Sequence, residues 1–226
     1  MTGWPPPLRF DRPVLLLGGG PAAPEAVAAL APLCGAVVAA DGGANRLRAA
    51  GAAPDAIIGD LDSLEDRAGW EAAPGTDVIH VADQDTTDLE KCLRLVEAPL
   101  ILGAGFLGGR FDHSLAAMHA LMRHPERRLV LVGEEDLAFL APLRWRARVA
   151  AGARVSVFPM GRVTALGSRG LVWPLAGLEM EAGAVIGTSN RAADPEVAID
   201  FDRRAAVIML ERRFLESAVA GLSEQV

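Results

Sequence analysis

The chain has 226 residues, 51% hydrophobic and 23% charged, with a net charge of −7 and a pI near 5.1. This is a globular composition, long enough to bury a core without disulfide or metal staples, and its acidity argues against a general nucleic-acid binder. No stretch reaches the ~18–20 apolar residues of a membrane span, and the first residues lack the apolar segment of a signal peptide. Cys34 and Cys92 have neither the number nor the spacing of a disulfide framework or a metal site. The expected compartment is therefore the cytoplasm, with neither membrane nor nucleic acid as partner.

Six continuous apolar runs occupy the first part of the chain: Val14–Leu17, Ala36–Ala40, Ala56–Ile58, Val78–Val81, Leu100–Leu102 and Leu129–Val132. Unbroken runs of this length suit strands buried on both faces. Helical stretches are expected between them, at Glu25–Leu33, Ala44–Ala50, Thr87–Val96 and Ser114–Arg123. The third carries the clearest signals. Thr87-Asp88-Leu89-Glu90 is a capping-box pattern, and Leu89, Cys92, Leu93 and Val96 form one apolar stripe. In the fourth, Leu115, Met118 and Met122 are expected on one face. Alternating strands and helices predict an α/β domain with a largely parallel sheet, Rossmann-like, over residues 1–141.

Beyond Pro142 the pattern changes. Arg154–Phe158, Gly170–Leu175, Ala184–Gly187, Val197–Phe201 and Ala206–Leu210 read as strands punctuated by glycines. An all-β sandwich is expected over residues 142–226.

In an open α/β sheet, ligands bind beyond the carboxyl ends of the strands, so the loops there are read together. They are Gly18-Gly19-Gly20-Pro21; Asp41-Gly42-Gly43-Ala44-Asn45; Gly59-Asp60-Leu61-Asp62-Ser63; Asp83 to Asp88; and Gly103 to His113. Each after the first contains an aspartate. Carboxylates gathered on one rim repel unless cations join them, and oxygen ligands of this kind suit Mg²⁺. Asp60 and Asp62, alternating on extended backbone, would share a face. Glycine turns at helix starts suit phosphate. Of the 22 basic residues only Lys91 is a lysine. An ammonium and a guanidinium are not equivalent at a phosphate, which singles Lys91 out, with Arg110 as a second cation. Together these loops point to a Mg²⁺-nucleotide site for phosphoryl-type transfer.

The same residues resemble the thiamine pyrophosphokinase (thiamine diphosphokinase) family. The resemblance rests on Asp41-Gly42-Gly43-Ala44-Asn45-Arg46-Leu47, Pro54-Asp55 with Gly59-Asp60-Leu61-Asp62-Ser63, Asp83-Gln84-Asp85-Thr86-Thr87-Asp88 with Lys91, and Gly109-Arg110-Phe111-Asp112-His113. Gly170 to Leu175 and Thr188-Ser189-Asn190 add to it. It implies a homodimeric enzyme that moves the pyrophosphoryl group of ATP to thiamine, giving thiamine diphosphate and AMP. By resemblance, Asp60, Asp62 and Asp88 would hold Mg²⁺, with Asp41, Asp85 and Asp112 as further acidic candidates. Gly42, Asn45, Thr87, Arg110 and His113 would meet the nucleotide, and Lys91 the phosphates. Asp112 or His113 is a candidate proton acceptor. Ser189 and Asn190 would reach the thiamine pyrimidine, and Trp173 would stack on thiamine across the dimer interface, unless it is a core anchor beside Leu171 and Leu175. Two rival readings are a haloacid dehalogenase-like phosphatase, suggested by Asp60-Leu61-Asp62 after a strand, and a non-enzymatic thiamine- or nucleotide-binding regulator. A nicotinamide enzyme is disfavoured, because Gly18-Gly19-Gly20-Pro21 lacks the third glycine of that fingerprint.

Overall fold

The computed structural model describes residues 4–223. The chain divides into two compact units, and the division falls at Glu134/Glu135.

The first unit runs β1 (Leu8–Arg9), β2 (Val14–Leu17), α1 (Pro24–Leu30), β3 (Ala36–Ala40), α2 (Gly43–Ala49), β4 (Ala56–Gly59), α3 (Arg67–Glu71), β5 (Asp77–His80), α4 (Asp88–Leu95), β6 (Val96–Glu97), β7 (Ile101–Ala104), α5 (Phe111–Arg123) and β8 (Leu129–Val132). Six of these strands form a parallel sheet in the order β8-β7-β2-β3-β4-β5. β2, β4, β7 and β8 are buried along their whole length, which is why their sequences are unbroken apolar runs. The short β1 pairs in parallel with β6, outside this sheet. The α4 stripe is as expected: Leu89, Cys92, Leu93 and Val96 are all buried. In α5, however, the buried residues are Ala117, Ala120 and Leu121, while Leu115 is exposed. Small alanines make the close face there, and the larger apolar residues are not the guide. The helix also starts at Phe111, three residues before the expected Ser114.

The second unit runs β9 (Asp136–Leu140), β10 (Arg144–Arg148), β11 (Arg154–Pro159), β12 (Val163–Arg169), β13 (Leu178–Met180), β14 (Gly187–Arg191), β15 (Glu196–Phe201), β16 (Ala206–Glu211) and α6 (Leu215–Ser223). Antiparallel pairing gives two sets, β14-β11-β16-β9 and β10-β15-β12-β13. β9 precedes residue 142 yet pairs with β16 here. Two expected strands are corrected. Gly170–Leu175 is irregular apart from a single bridge, Leu171 to Ala192. Gly170 is at φ +72°, and a Cβ there would lie 2.0 Å from the Glu196 carbonyl oxygen, so the backbone turns away from strand geometry. Residues 184–186 likewise lie outside any strand, and the strand begins at Gly187.

Among the described residues, no helix is long and apolar enough to cross a membrane.

Candidate active site

The order of the parallel sheet creates the site. From β2 the chain builds outward through β3, β4 and β5, then returns to lay β7 and β8 on the other side of β2. The loops leaving β2 and β7 therefore part in opposite directions, the arrangement that opens a crevice at the carboxyl ends of the strands. Glycines let these loops touch. A Cβ on Gly20 would lie 2.5 Å from the Gly105 carbonyl oxygen, and one on Gly105 would lie 2.6 Å from that of Gly18. The N–H groups of Gly18, Gly20 and Gly108 donate to Ala104, Gly105 and the Ser114 hydroxyl. These glycines thus serve close approach, and their amides are not the phosphate cradle that the sequence suggests. The resulting cleft, of about 620 Å³, is lined by both loops and by the starts of α2, α4 and α5.

Asp41 follows β3 in a left-handed conformation, φ +43°, and is only 2% exposed. Its Oδ2 accepts from the Ser63 N–H at 3.2 Å, while its Oδ1 has no hydrogen-bond partner. Gly59 makes room for it, since a Cβ there would come within 2.7 Å of the Asp41 Cβ. Burial pushes the Asp41 carboxyl up to about 6, and the charge of Asp88 adds to that rise.

Asp60 and Asp62 part company. Leu61 between them is left-handed, φ +65°, and buried, so the segment is not extended. Asp60 lines the cleft; Asp62 is exposed, outside the lining, and accepts from the Ser63 hydroxyl. Asn45 holds this loop, donating to the Ser63 carbonyl at 2.8 Å and accepting from the Glu65 N–H at 3.0 Å.

Helix α4 supplies the rest. Thr87 caps it in a true capping box with Glu90, which places Asp88 and Lys91 one turn apart on the cleft side. Lys91 is 1% exposed, and its Nζ donates to Asp60 Oδ2 at 2.8 Å and to Asp88 Oδ1 at 2.9 Å. Burial alone would lower the lysine, but its two carboxylate partners raise it, so it stays charged. Burial likewise works against the Asp60 charge, and Lys91 outweighs it to lower that carboxyl; at Asp88 burial wins and the carboxyl rises.

One carboxylate oxygen each from Asp41, Asp60 and Asp88 lies within 4.8 Å of the others. This all-oxygen set, with an unpartnered oxygen on its most buried member, fits a hard divalent cation such as Mg²⁺. The members are Asp41, Asp60 and Asp88, with Asp62 outside the group.

Gly42, Arg110 and His113 also line the cleft, as do Asn45 and Thr87. Asp85 is exposed outside the lining, and so is Asp112, which receives both arms of Arg110, at 3.1 and 2.6 Å. That clamp lowers the Asp112 carboxyl, making it a weaker proton acceptor while it orients the guanidinium. Sequence reasoning gave no role to Arg46, which lines the cleft and donates to the Gly19 carbonyl, or to Gln84, which donates to Asp60. Both lie inside motifs already singled out, and that position was the available signal.

The remaining candidates belong to the second unit. Trp173 is 52% exposed, whereas Leu171 and Leu175 are buried, so Trp173 is no core anchor. Asn190 is buried. Its Nδ2 donates to the Trp173 carbonyl at 2.7 Å, and its Oδ1 accepts from the N–H groups of Trp173 and Arg191. These bonds shape the loop that presents Trp173. Ser189 is exposed, at φ +62°. The Arg191 guanidinium lies 5.6 Å from the Trp173 ring.

Comparison with known proteins agrees with this division. Residues 28–131 match the family model "Thiamin pyrophosphokinase, catalytic domain", and residues 143–205 match "Thiamin pyrophosphokinase, vitamin B1 binding domain". Thiamine pyrophosphokinase 1 of Arabidopsis thaliana is 34% identical over 166 residues, covering 66% of this chain and 62% of that protein. Thiamin pyrophosphokinase 1 of Caenorhabditis elegans is 27% identical over 161 residues, covering 64% and 65%. The match thus spans somewhat under two thirds of these curated relatives. Among solved structures, thiamin pyrophosphokinase from Candida albicans superposes with a TM-score of 0.77 at 17% identity, covering 89% of each chain. The yeast enzyme gives 0.76 at 19%, covering 93% of this chain and 92% of that one. These two show the same mixed α/β fold with a separate antiparallel part. With both of its characteristic parts matched in order along the sequence, the chain belongs to the thiamin pyrophosphokinase family.

Proposed function

We propose that this chain is an ATP:thiamine diphosphotransferase, converting thiamine and ATP to thiamine diphosphate and AMP. The observation that carries the reading is the meeting of Asp41, Asp60 and Asp88 with the buried Lys91 in one cleft. Family membership supplies the substrates. In this reading the unit that ends at Glu134 is a Rossmann-like domain for Mg²⁺ and nucleotide, and the unit that begins at Glu135 a thiamine-binding sandwich that dimerises. A cytoplasmic homodimer is proposed on the resemblance alone.

The reaction forms a bond from the thiamine hydroxyl oxygen to the β-phosphorus and breaks the bond from that phosphorus to the bridging oxygen of AMP. Positioning and charge neutralisation supply most of the rate in such transfers. Lys91 has three N–H donors. Two hold Asp60 and Asp88, and the third is available to a phosphate oxygen. Arg110, steadied by Asp112, meets a second phosphate from the start of α5. Asp60 and Asp88 would hold Mg²⁺, which when bound draws off the negative charge of the triphosphate. Asn45 and Gln84 keep the Asp60 loop in place. Trp173 offers an exposed aromatic face to the cationic thiamine ring.

The phosphatase reading gains no support, because Asp60 is bonded to Lys91 and Gln84 and the comparisons do not favour that family. The test is to incubate the protein with ATP, thiamine and Mg²⁺ and separate the products. AMP with equimolar thiamine diphosphate is expected. Inorganic phosphate without thiamine diphosphate would overturn the reading.

A further inference from the structure

We infer that Arg191 sets the charge selectivity of the Trp173 ring. Its guanidinium is the ring's own cation, and a cationic heterocycle that stacks there must displace it or share the ring with a like charge. The inference rests on the functional reading above, which brings thiamine to Trp173, and adds a residue that tunes which ligands the ring holds.

Geometry puts the two side chains together. The Arg191 guanidinium lies over the Trp173 ring, 5.6 Å from its centroid, within reach of a cation–π contact. The backbone keeps them there. Asn190 Oδ1 accepts from the N–H groups of both Trp173 and Arg191, and the Val172 N–H donates to the Arg191 carbonyl at 2.8 Å. These bonds couple the end of β14 to the loop that carries the ring.

The surroundings leave Arg191 to the ring. Its cross-strand partner on β11 is Arg154, a like charge already paired with Asp136. Glu196 is taken in the same way by Arg148. Among the described residues, no carboxylate forms an ion pair with Arg191. A cation arriving at Trp173 therefore exchanges one cation–ring contact for another, and its charge adds little to its affinity. A neutral ring of the same shape stacks through dispersion and apolar contact, which the Arg191 charge opposes much less.

The test measures binding by equilibrium dialysis on the full chain at one fixed ionic strength, for the wild type, Arg191→Gln and Arg191→Lys, with circular dichroism as the check on folding. The probes are thiamine and its neutral isostere, in which a thiophene replaces the thiazolium ring. Arg191→Gln keeps the backbone bonds and loses the charge. It is expected to tighten thiamine about fivefold and the isostere less than about twofold. Arg191→Lys, which keeps the charge, should stay within about twofold of the wild type for both probes. Thiamine bound no more tightly by Arg191→Gln, equal gains for both probes, or the same gain in Arg191→Lys would overturn the inference. Product formation from ATP and thiamine is assayed on the same wild-type sample. Active wild type with any of those three results defeats the inference alone, whereas wild type that neither binds thiamine nor makes thiamine diphosphate defeats the functional reading and the inference with it.

Discussion

Around Lys91, polar side chains are buried and answer one another; around Trp173, the buried polar side chain serves the backbone, and the large aromatic one faces solvent. Asp41, Asp60 and Asp88 crowd together at an electrostatic cost that a bound cation or a proton relieves. Asn190 makes three bonds to the backbone of Trp173 and Arg191 and carries no charge. The contrast separates two ways for a motif residue to matter. In the first unit the motif residues are the chemistry. In the second, part of the motif is scaffold for the one side chain that is presented.

The sharpest way to break this contrast is Lys91→Arg, the swap that a chain otherwise using only arginine would make look harmless. Lys91 is 1% exposed between two carboxylates, so the larger planar guanidinium has neither room nor geometry there. Turnover of ATP and thiamine is expected to fall by about a hundredfold or more, comparable to removing a preorganised donor. Unchanged kcat would show that Lys91 is structural. In the second unit, Asn190→Ala should act on stability instead. It leaves the Trp173 N–H and carbonyl and the Arg191 N–H without their partner, at a cost of about 2 kcal/mol, read as a lower urea midpoint. A folded Asn190→Ala with unchanged stability but no thiamine binding would make Asn190 a ligand contact after all. Trp173→Ala, at an exposed ring, should leave stability nearly unchanged and raise the KM for thiamine about tenfold with little change in kcat. An unaltered KM would remove Trp173 from the thiamine site.

The smallest effect concerns pH. The Asp41 carboxyl, raised from its ordinary 3.8 to about 6 by burial and neighbouring acids, binds its proton more tightly in the native state than in the unfolded chain. The contribution of Asp41 to stability is therefore present in full below 3.8, declines as pH rises through about 6, and is level beyond. With chelator present, Asp41→Asn should melt higher than the wild type above pH 6, by a margin that closes towards pH 4. Thermal unfolding of both proteins across that window checks it. A margin that is constant with pH would mean Asp41 does not titrate in this way.

Much of the first unit is legible in the sequence because strands buried on both faces leave one kind of trace. Val14–Leu17 and Leu129–Val132 are strands to the residue. Half-buried antiparallel strands leave a weaker one. Arg144–Arg148 alternates exposed and buried residues, Leu178–Met180 is three residues long, and neither was anticipated. Gly170–Leu175 looked like a strand because nothing in its letters reveals that Gly170 must turn under the Glu196 carbonyl. At the site, the loops that carry Asp41, Asp60, Asp88 and Lys91 could be collected from topology alone. Which of Asp60 and Asp62 faces inward could not, because it depends on one left-handed residue, Leu61, whose side chain gives no hint of its φ. The service of Asn190 to the backbone was hidden for a similar reason: Trp173, with which it makes two of its three bonds, lies 17 residues away.

The most direct measurement follows the β-phosphorus. The protein is given ATP radiolabelled at that position, with thiamine and Mg²⁺, and the products are separated. The account predicts that the label leaves the nucleotide and appears in thiamine diphosphate, with unlabelled AMP left behind. Label retained in ADP, or released as inorganic phosphate, would contradict it.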